Sequence, residues 1–328
     1  MRIHIIDSVK GGAGKSSIAL KLALFLQQSA NNPTQNKVCV IDMDLLGTSW
    51  EHTFRDHVIN PSTGLYSRIY LNDLVLDYES YIRCNFIQKV SVLFKPSDEL
   101  VTIDAIFCNP SPEAKKIFRI SDESKVNEIK LDMFRNNIEH LTKYLAGNGY
   151  SDIIFDMPPN SDPYSDVVIK HYSSFSSGYT IFFYLVSAYD IAHLESTINY
   201  FKEIFLQPDS HKIQSLNVNI PIGDKNRQTK QQEKNDWIKQ KIIHYFVVLN
   251  NNLFPDKTNA LYDINNKTIL HMMRSEEILK KLAYYIVDYD SAFARSKAFL
   301  SHIESYGNYN KLNVEAFDFS DYKLFDEI

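Results

Sequence analysis

Apolar residues in this chain fall into two patterns. The first is the short continuous run: Ile3-His4-Ile5-Ile6, Val38-Cys39-Val40-Ile41, Ile153-Ile154-Phe155 and Thr180 to Val186. Runs that are apolar on both faces predict central parallel strands. The second is recurrence every three or four positions. Ile18, Leu22, Phe25 and Leu26, with Ala19 and Ala23 between them, predict a helix from Ser16 to about Gln28 with one face on a sheet. Leu131, Phe134, Ile138, Leu141 and Leu145 predict another, ended by Gly147 and Gly149. Further helices are expected over 72–76, 191–205 and 291–303, and further strands over 90–94, 102–107 and 242–249. This alternation predicts an α/β fold, a doubly wound and mostly parallel sheet flanked by helices. No internal repeat or low-complexity linker interrupts it, so residues 1–328 are expected to form a single domain. Its least patterned parts are an insert at about 51–130 and a basic stretch at about 207–241. The charged residues from Lys115 to Lys130 read as a solvated segment.

Composition narrows this picture without redirecting it. A chain of 328 residues can bury roughly three quarters of its unfolded surface and needs no staple. A net charge of −5 excludes a general polyanion binder, so any nucleic-acid contact must come from a local patch. Cys39, Cys84 and Cys108 are scattered and odd in number, which suggests small buried apolar residues of a reducing compartment. No signal peptide precedes the first strand, and no apolar run reaches the ~18 residues of a membrane span. The expected location is the cytoplasm, with no membrane partner.

Chemistry enters at the strand ends. After the first run comes Val9-Lys10-Gly11-Gly12-Ala13-Gly14-Lys15-Ser16-Ser17, then a helix. Strand, glycine-rich loop and helix together make a phosphate cradle, because glycines let successive N–H groups turn inward and the helix adds its positive end. Lys15 would reach the β- and γ-phosphates and Ser16 would ligate Mg²⁺. The second run ends in Asp42-Met43-Asp44, two carboxylates suited to a hydrated Mg²⁺ and an attacking water. The third ends in Asp156-Met157-Pro158-Pro159. Asn250 or Asn251, with Asn250 favoured, follows a late apolar run and offers an amide to an adenine edge. A polar turn is the alternative there.

The Lys-Gly-Gly-x-Gly-Lys-Ser sequence resembles the deviant Walker A box of the ParA/MinD family of P-loop ATPases, closest to its ParA-like members. The resemblance implies a Rossmann-like P-loop fold that binds ATP and Mg²⁺ and hydrolyses ATP slowly. It implies nucleotide contacts from Gly11, Gly12, Ala13, Gly14, Lys15, Ser16, Ser17 and Asn250. It places Mg²⁺ on Ser16, Asp42 and Asp156, with Asp44 positioning the hydrolytic water. Lys10 would cross the interface of an ATP-sandwiched homodimer and act with Lys15 and Asp44 in catalysis. Family members usually have glycine after the Pro-Pro pair; here it is Asn160.

The family's cargoes differ. Iron–sulfur carriage needs a C-x-x-C pair that this sequence lacks, and membrane binding suits a basic C-terminal helix, whereas residues 315–327 are acidic and aromatic. A ParA-like reading adds a stimulating partner protein and non-specific DNA. Lys225, Arg227, Lys230 and Lys234 lie in a locally basic stretch that would meet phosphates, or else form a solvated helix face. The competing reading is a regulatory or assembly ATPase acting through a partner protein without DNA.

Overall fold

The computed structural model describes residues 1–28, 37–47, 49–54, 69–94, 99–119, 124–159, 162–174, 179–188, 191–205, 243–252, 283–288 and 313–314. In chain order the first elements are β1 (Arg2–Asp7), α1 (Lys15–Gln28), β2 (Lys37–Asp42), α2 (Ser49–Phe54), α3 (Leu71–Leu76) and α4 (Tyr78–Tyr81). Next come β3 (Gln88–Phe94), β4 (Glu99–Ile106), α5 (Pro112–Phe118), α6 (Ser124–Gly147), β5 (Tyr150–Asp156) and α7 (Pro163–Ser174). The rest are β6 (Thr180–Ala188), α8 (Ile191–Phe205), β7 (Ile243–Asn252), β8 (Ala283–Asp288) and β9 (Asn313–Val314). They belong to two compact units, Met1–Gly14 with Pro158–Asp288 and Lys15–Met157 with Tyr289–Ile328.

In the first unit the strands run in the order β8-β7-β6-β1, every pair parallel. Ile3, Ile5 and Ile6 of β1 and Ile181 to Val186 of β6 are buried without alternation, as strands covered on both faces require. His4 is buried too; it stacks on Phe182 and its Nδ1 lies 3.2 Å from the Tyr184 hydroxyl. Helix α8 packs on β6.

In the second unit the order is β5-β2-β4-β3-β9. Only β3 and β4 are antiparallel, since the four residues between them are too few for a parallel crossover. Strands β2 and β5 are parallel and in register from Val38↔Asp152 to Asp42↔Asp156, after one residue of β5 is absorbed by an irregularity at Lys37/Val38. Helix α1 packs on β2, β5 and β4.

Both units have the predicted α/β character, but details depart from the sequence reading. Helix α1 is no one-sided amphipathic helix: Leu20 and Leu24, off the predicted face, are fully buried, whereas Phe25 is half-buried. Apolar nearly all round, it behaves as an interior helix. The segment read as solvated is exposed at Lys116, Ile117, Arg119, Glu128 and Ile129, and it also contains α5 and the start of α6, helices that the reading does not assign. Ser111 caps α5 by accepting the Ala114 N–H at 3.2 Å, with Pro112 at its first turn, a start signal that the sequence carried in plain form. Cys39 and Cys108 are buried as expected; Cys84 is exposed, because it sits in the turn after α4. Among the described residues no helix is long and apolar enough to cross a membrane. The predicted helix at 291–303, the basic stretch at 207–241, Asn160 and the tail at 315–327 lie outside the described residues.

Candidate nucleotide site

In the first unit, β1 delivers the chain into the glycine-rich loop. Asp7 ends the strand; its carboxylate accepts the Ser8 N–H at 2.7 Å and the Tyr200 hydroxyl at 2.6 Å. The Ser8 hydroxyl donates to the Lys10 carbonyl at 2.9 Å, folding the loop back on itself. Gly12 and Gly14 then take φ of +80° and +87°, a region in which a side chain would be strained. Around Gly12 nothing lies within 4 Å of where a Cβ would stand, so at this exposed position only the backbone angle restricts a side chain. Lys10, Gly11 and Gly12 are exposed, Gly14 is half-buried and Ala13 is buried. The loop continues directly into the first turn of α1.

In the second unit, Lys15 opens α1 and is buried, with Ser16 and Ser17 half-buried beside it. Asp42 and Asp156, the last residues of β2 and β5, are register partners, so two carboxylates stand at one level of adjacent strands. The Met43 N–H donates to the Asp156 carbonyl at 2.9 Å and extends that ladder one step. Asp42 is 1% exposed. Its Oδ1 accepts the Asp44 N–H at 3.1 Å, whereas its Oδ2 has no hydrogen-bond partner. Burial, and after it the neighbouring Asp156, push its carboxyl well above the ordinary range, against the Asp44 N–H.

Asp44 is half-buried, inside the turn 44–47. Burial raises its pKa, opposed by the Gly47 N–H and then by Lys15 and Lys115. Gly47 is tightly fitted: a Cβ there would fall 1.6 Å from Asp44 Oδ2. On the other carboxylate, Asp156 Oδ2 accepts the indole N–H of Trp50 at 2.5 Å. Trp50 is fully buried in α2 and tilted against Phe54 with ring centroids 4.7 Å apart.

The second unit thus brings together Lys15, Asp42, Asp44 and Asp156 of the sequence-predicted residues, and the first unit holds Lys10 to Gly14. Asn250 pairs in register with Ala188 near the end of β7. The strand runs on to Asn252, so the three asparagines continue it; the polar-turn alternative fails. Two residues escaped the sequence reading. Trp50 carried only one signal, a tryptophan a few residues beyond the Asp-x-Asp pair. Lys115 was assigned to solvent, although its charge acts on Asp44 from α5.

A buried, unsatisfied carboxylate oxygen beside a second carboxylate is an arrangement that a cation would relieve. Among the described residues no group of three or more His, Cys, Asp or Glu side chains could hold a metal ion.

A strand, a glycine-rich loop and a helix in chain order, and aspartates at the ends of parallel strands, are the parts from which phosphate-binding P-loops are built. Residues 1–63 match the ParA family model, described as "NUBPL iron-transfer P-loop NTPase". Among solved structures, the cell division ATPase MinD of Pyrococcus furiosus is 14% identical, over 95% of this chain and 94% of that one, with a TM-score of 0.47. A nucleotide-binding protein from Archaeoglobus fulgidus in complex with ADP is 13% identical, over 94% and 90%, with a TM-score of 0.42. No curated protein matches the chain at a significant level.

Proposed function

We propose that this protein is an ATP-dependent dimerisation switch that hydrolyses ATP slowly. The observation that carries the reading is the pairing of Asp42 and Asp156 at one level of β2 and β5, in the unit that also holds Lys15 and Asp44. Backbone N–H groups from Gly11 to Ser17 bind phosphate oxygens, Lys15 neutralises the β- and γ-phosphates, and Asn250 contacts the adenine. Ser16 supplies a hydroxyl to Mg²⁺, and Asp42 and Asp156 accept hydrogen bonds from its waters. When bound, Mg²⁺ neutralises charge that builds on the transferring phosphoryl group. Asp44, fixed by the turn that ends at Gly47, orients the attacking water. Lys10 is exposed and serves the phosphates of a second copy, as an arginine finger does. ATP is then part of the dimer interface, and its hydrolysis shifts the population back to monomer.

The switch acts in the cytoplasm, and its readout is a stimulating partner protein with non-specific DNA, bound through Lys225, Arg227, Lys230 and Lys234. The alternative is a regulatory or assembly ATPase with a protein partner alone. Salt-sensitive, ATP-dependent binding to random duplex DNA separates the two. Iron carriage on paired cysteines has no support here, since Cys39, Cys84 and Cys108 form no C-x-x-C pair.

The test of the engine is a set of three variants. Lys15→Ala should lose nucleotide binding. Lys10→Ala should bind nucleotide yet neither dimerise nor turn over, and Asp44→Ala should remain dimeric with ATP and Mg²⁺ on size-exclusion chromatography. A fully active Lys10→Ala protein would refute the sandwich arrangement.

A further inference from the structure

Trp50 has no part in the chemistry above, yet it makes a direct contact to an aspartate assigned to Mg²⁺. It is 1% exposed, and its indole N–H donates to Asp156 Oδ2 at 2.5 Å. A buried indole would need some acceptor; a carboxylate at a strand end is a demanding choice, because Asp156 already faces Asp42 across the ladder. The contact fixes the plane of the carboxylate. It also joins two stretches far apart in sequence, the strand that ends at Asp156 and the helix that begins after the Asp44–Gly47 turn. Phe54 packs on the indole one helical turn later and holds it in place.

We propose that Trp50 is a positioning residue for the Mg²⁺ site: its indole N–H orients the Asp156 carboxylate and couples α2, and the turn before it, to the presence of the metal. This rests on the nucleotide and Mg²⁺ reading above. Groups that orient an outer-shell or ligating carboxylate commonly change metal affinity by about 10- to 100-fold when removed. When Asp156 accepts from the waters of Mg²⁺, the carboxylate is shared between those waters and the indole, so the surroundings of Trp50 change with the metal. Nucleotide alone, held by the loop and Lys15, leaves the contact as it is.

The sequence contains one other tryptophan, Trp237, so Trp237→Phe makes Trp50 the sole indole reporter. Three measurements on the full chain decide the matter. Binding of a fluorescent ATP analogue is measured in EDTA and in Mg²⁺. Trp50 emission in the Trp237→Phe protein is recorded with ATP in EDTA, then as Mg²⁺ is added. The Mg²⁺ concentration for half-maximal hydrolysis is compared between the unaltered chain and Trp50→Phe. The expected result is an emission change on adding Mg²⁺ and none with ATP in EDTA. Trp50→Phe should raise the Mg²⁺ midpoint about 10-fold or more while analogue binding in EDTA stays unchanged. Phenylalanine keeps the ring contact with Phe54 and removes only the donor. Should that variant fail to fold, the emission titration decides alone. Trp50 emission indifferent to Mg²⁺, or an unmoved midpoint in a folded Trp50→Phe protein, overturns the proposal and leaves the ATP switch standing. Failure of the unaltered chain to bind the analogue overturns both.

Discussion

Asp42→Asn should make the ligand-free protein more stable and at the same time inactive. The carboxylate is 1% exposed, its Oδ1 has the Asp44 N–H at 3.1 Å, and its Oδ2 has nothing. An unsatisfied buried polar group costs about 1–3 kcal/mol, and more when charged. Asparagine keeps the shape and the Oδ1 acceptor and removes the charge facing Asp156. A gain of about 1–3 kcal/mol at pH 8 follows. At roughly 2 °C per kcal/mol for a chain of this size, the melting temperature should rise by about 2–6 °C. The pH dependence fixes the sign. The folded pKa of Asp42 is raised, so the fold disfavours its ionised form. That cost is complete above the folded pKa and vanishes as pH falls towards the unfolded value of about 3.9. Thermal melts in EDTA at pH 8, 6 and 5 should therefore show the widest gap at pH 8 and a narrowing gap on acidification. Adding ATP and Mg²⁺ should raise the melting temperature of the unaltered chain and not of the variant. A variant that melts lower at pH 8 in EDTA, or a gap that widens in acid, would refute the reasoning.

Two further outcomes are expected. Gly47→Ala places a methyl where Asp44 Oδ2 now lies, so the carboxylate must swing away; turnover should fall by about 100-fold with nucleotide affinity kept, and unchanged steady-state hydrolysis would contradict the fit. Tyr200→Phe removes the 2.6 Å hydrogen bond to Asp7 at the start of the loop, which should lower stability by about 1–3 kcal/mol in a denaturant titration and weaken nucleotide binding.

Strand ends were the legible part of the sequence. A continuous apolar run followed by aspartate, twice over, marks Asp42 and Asp156 as strand ends, because parallel strands buried on both faces leave few other readings. The loop was legible for a similar local reason: Gly12 and Gly14 take positive φ, and glycine is what such backbone requires. What sequence could not reach was set by tertiary contact. The near-complete burial of α1 depends on what surrounds it. Trp50 and Lys115 act on aspartates more than 70 residues away in the chain, Asp156 from Trp50 and Asp44 from Lys115. Neither contact has a local period or motif. The solvated reading of 115–130 agrees with the exposure of Lys116, Ile117, Arg119, Glu128 and Ile129, while the helix start marked by Ser111-Pro112 went unread.

The shared level of Asp42 and Asp156 also bears on how the sheet finds its alignment. Val38 to Ile41 and Ile153 to Phe155 are apolar on both faces, so sliding one strand past the other would exchange one greasy neighbour for another at small cost. At the other end of the pair, the irregularity at Lys37/Val38 offsets the register by one residue. An aspartate dragged one step inward would sit among isoleucines, far from any cation. The in-register pairing keeps both acids at the strand ends, where a one-residue slip would carry one of them into the apolar interior.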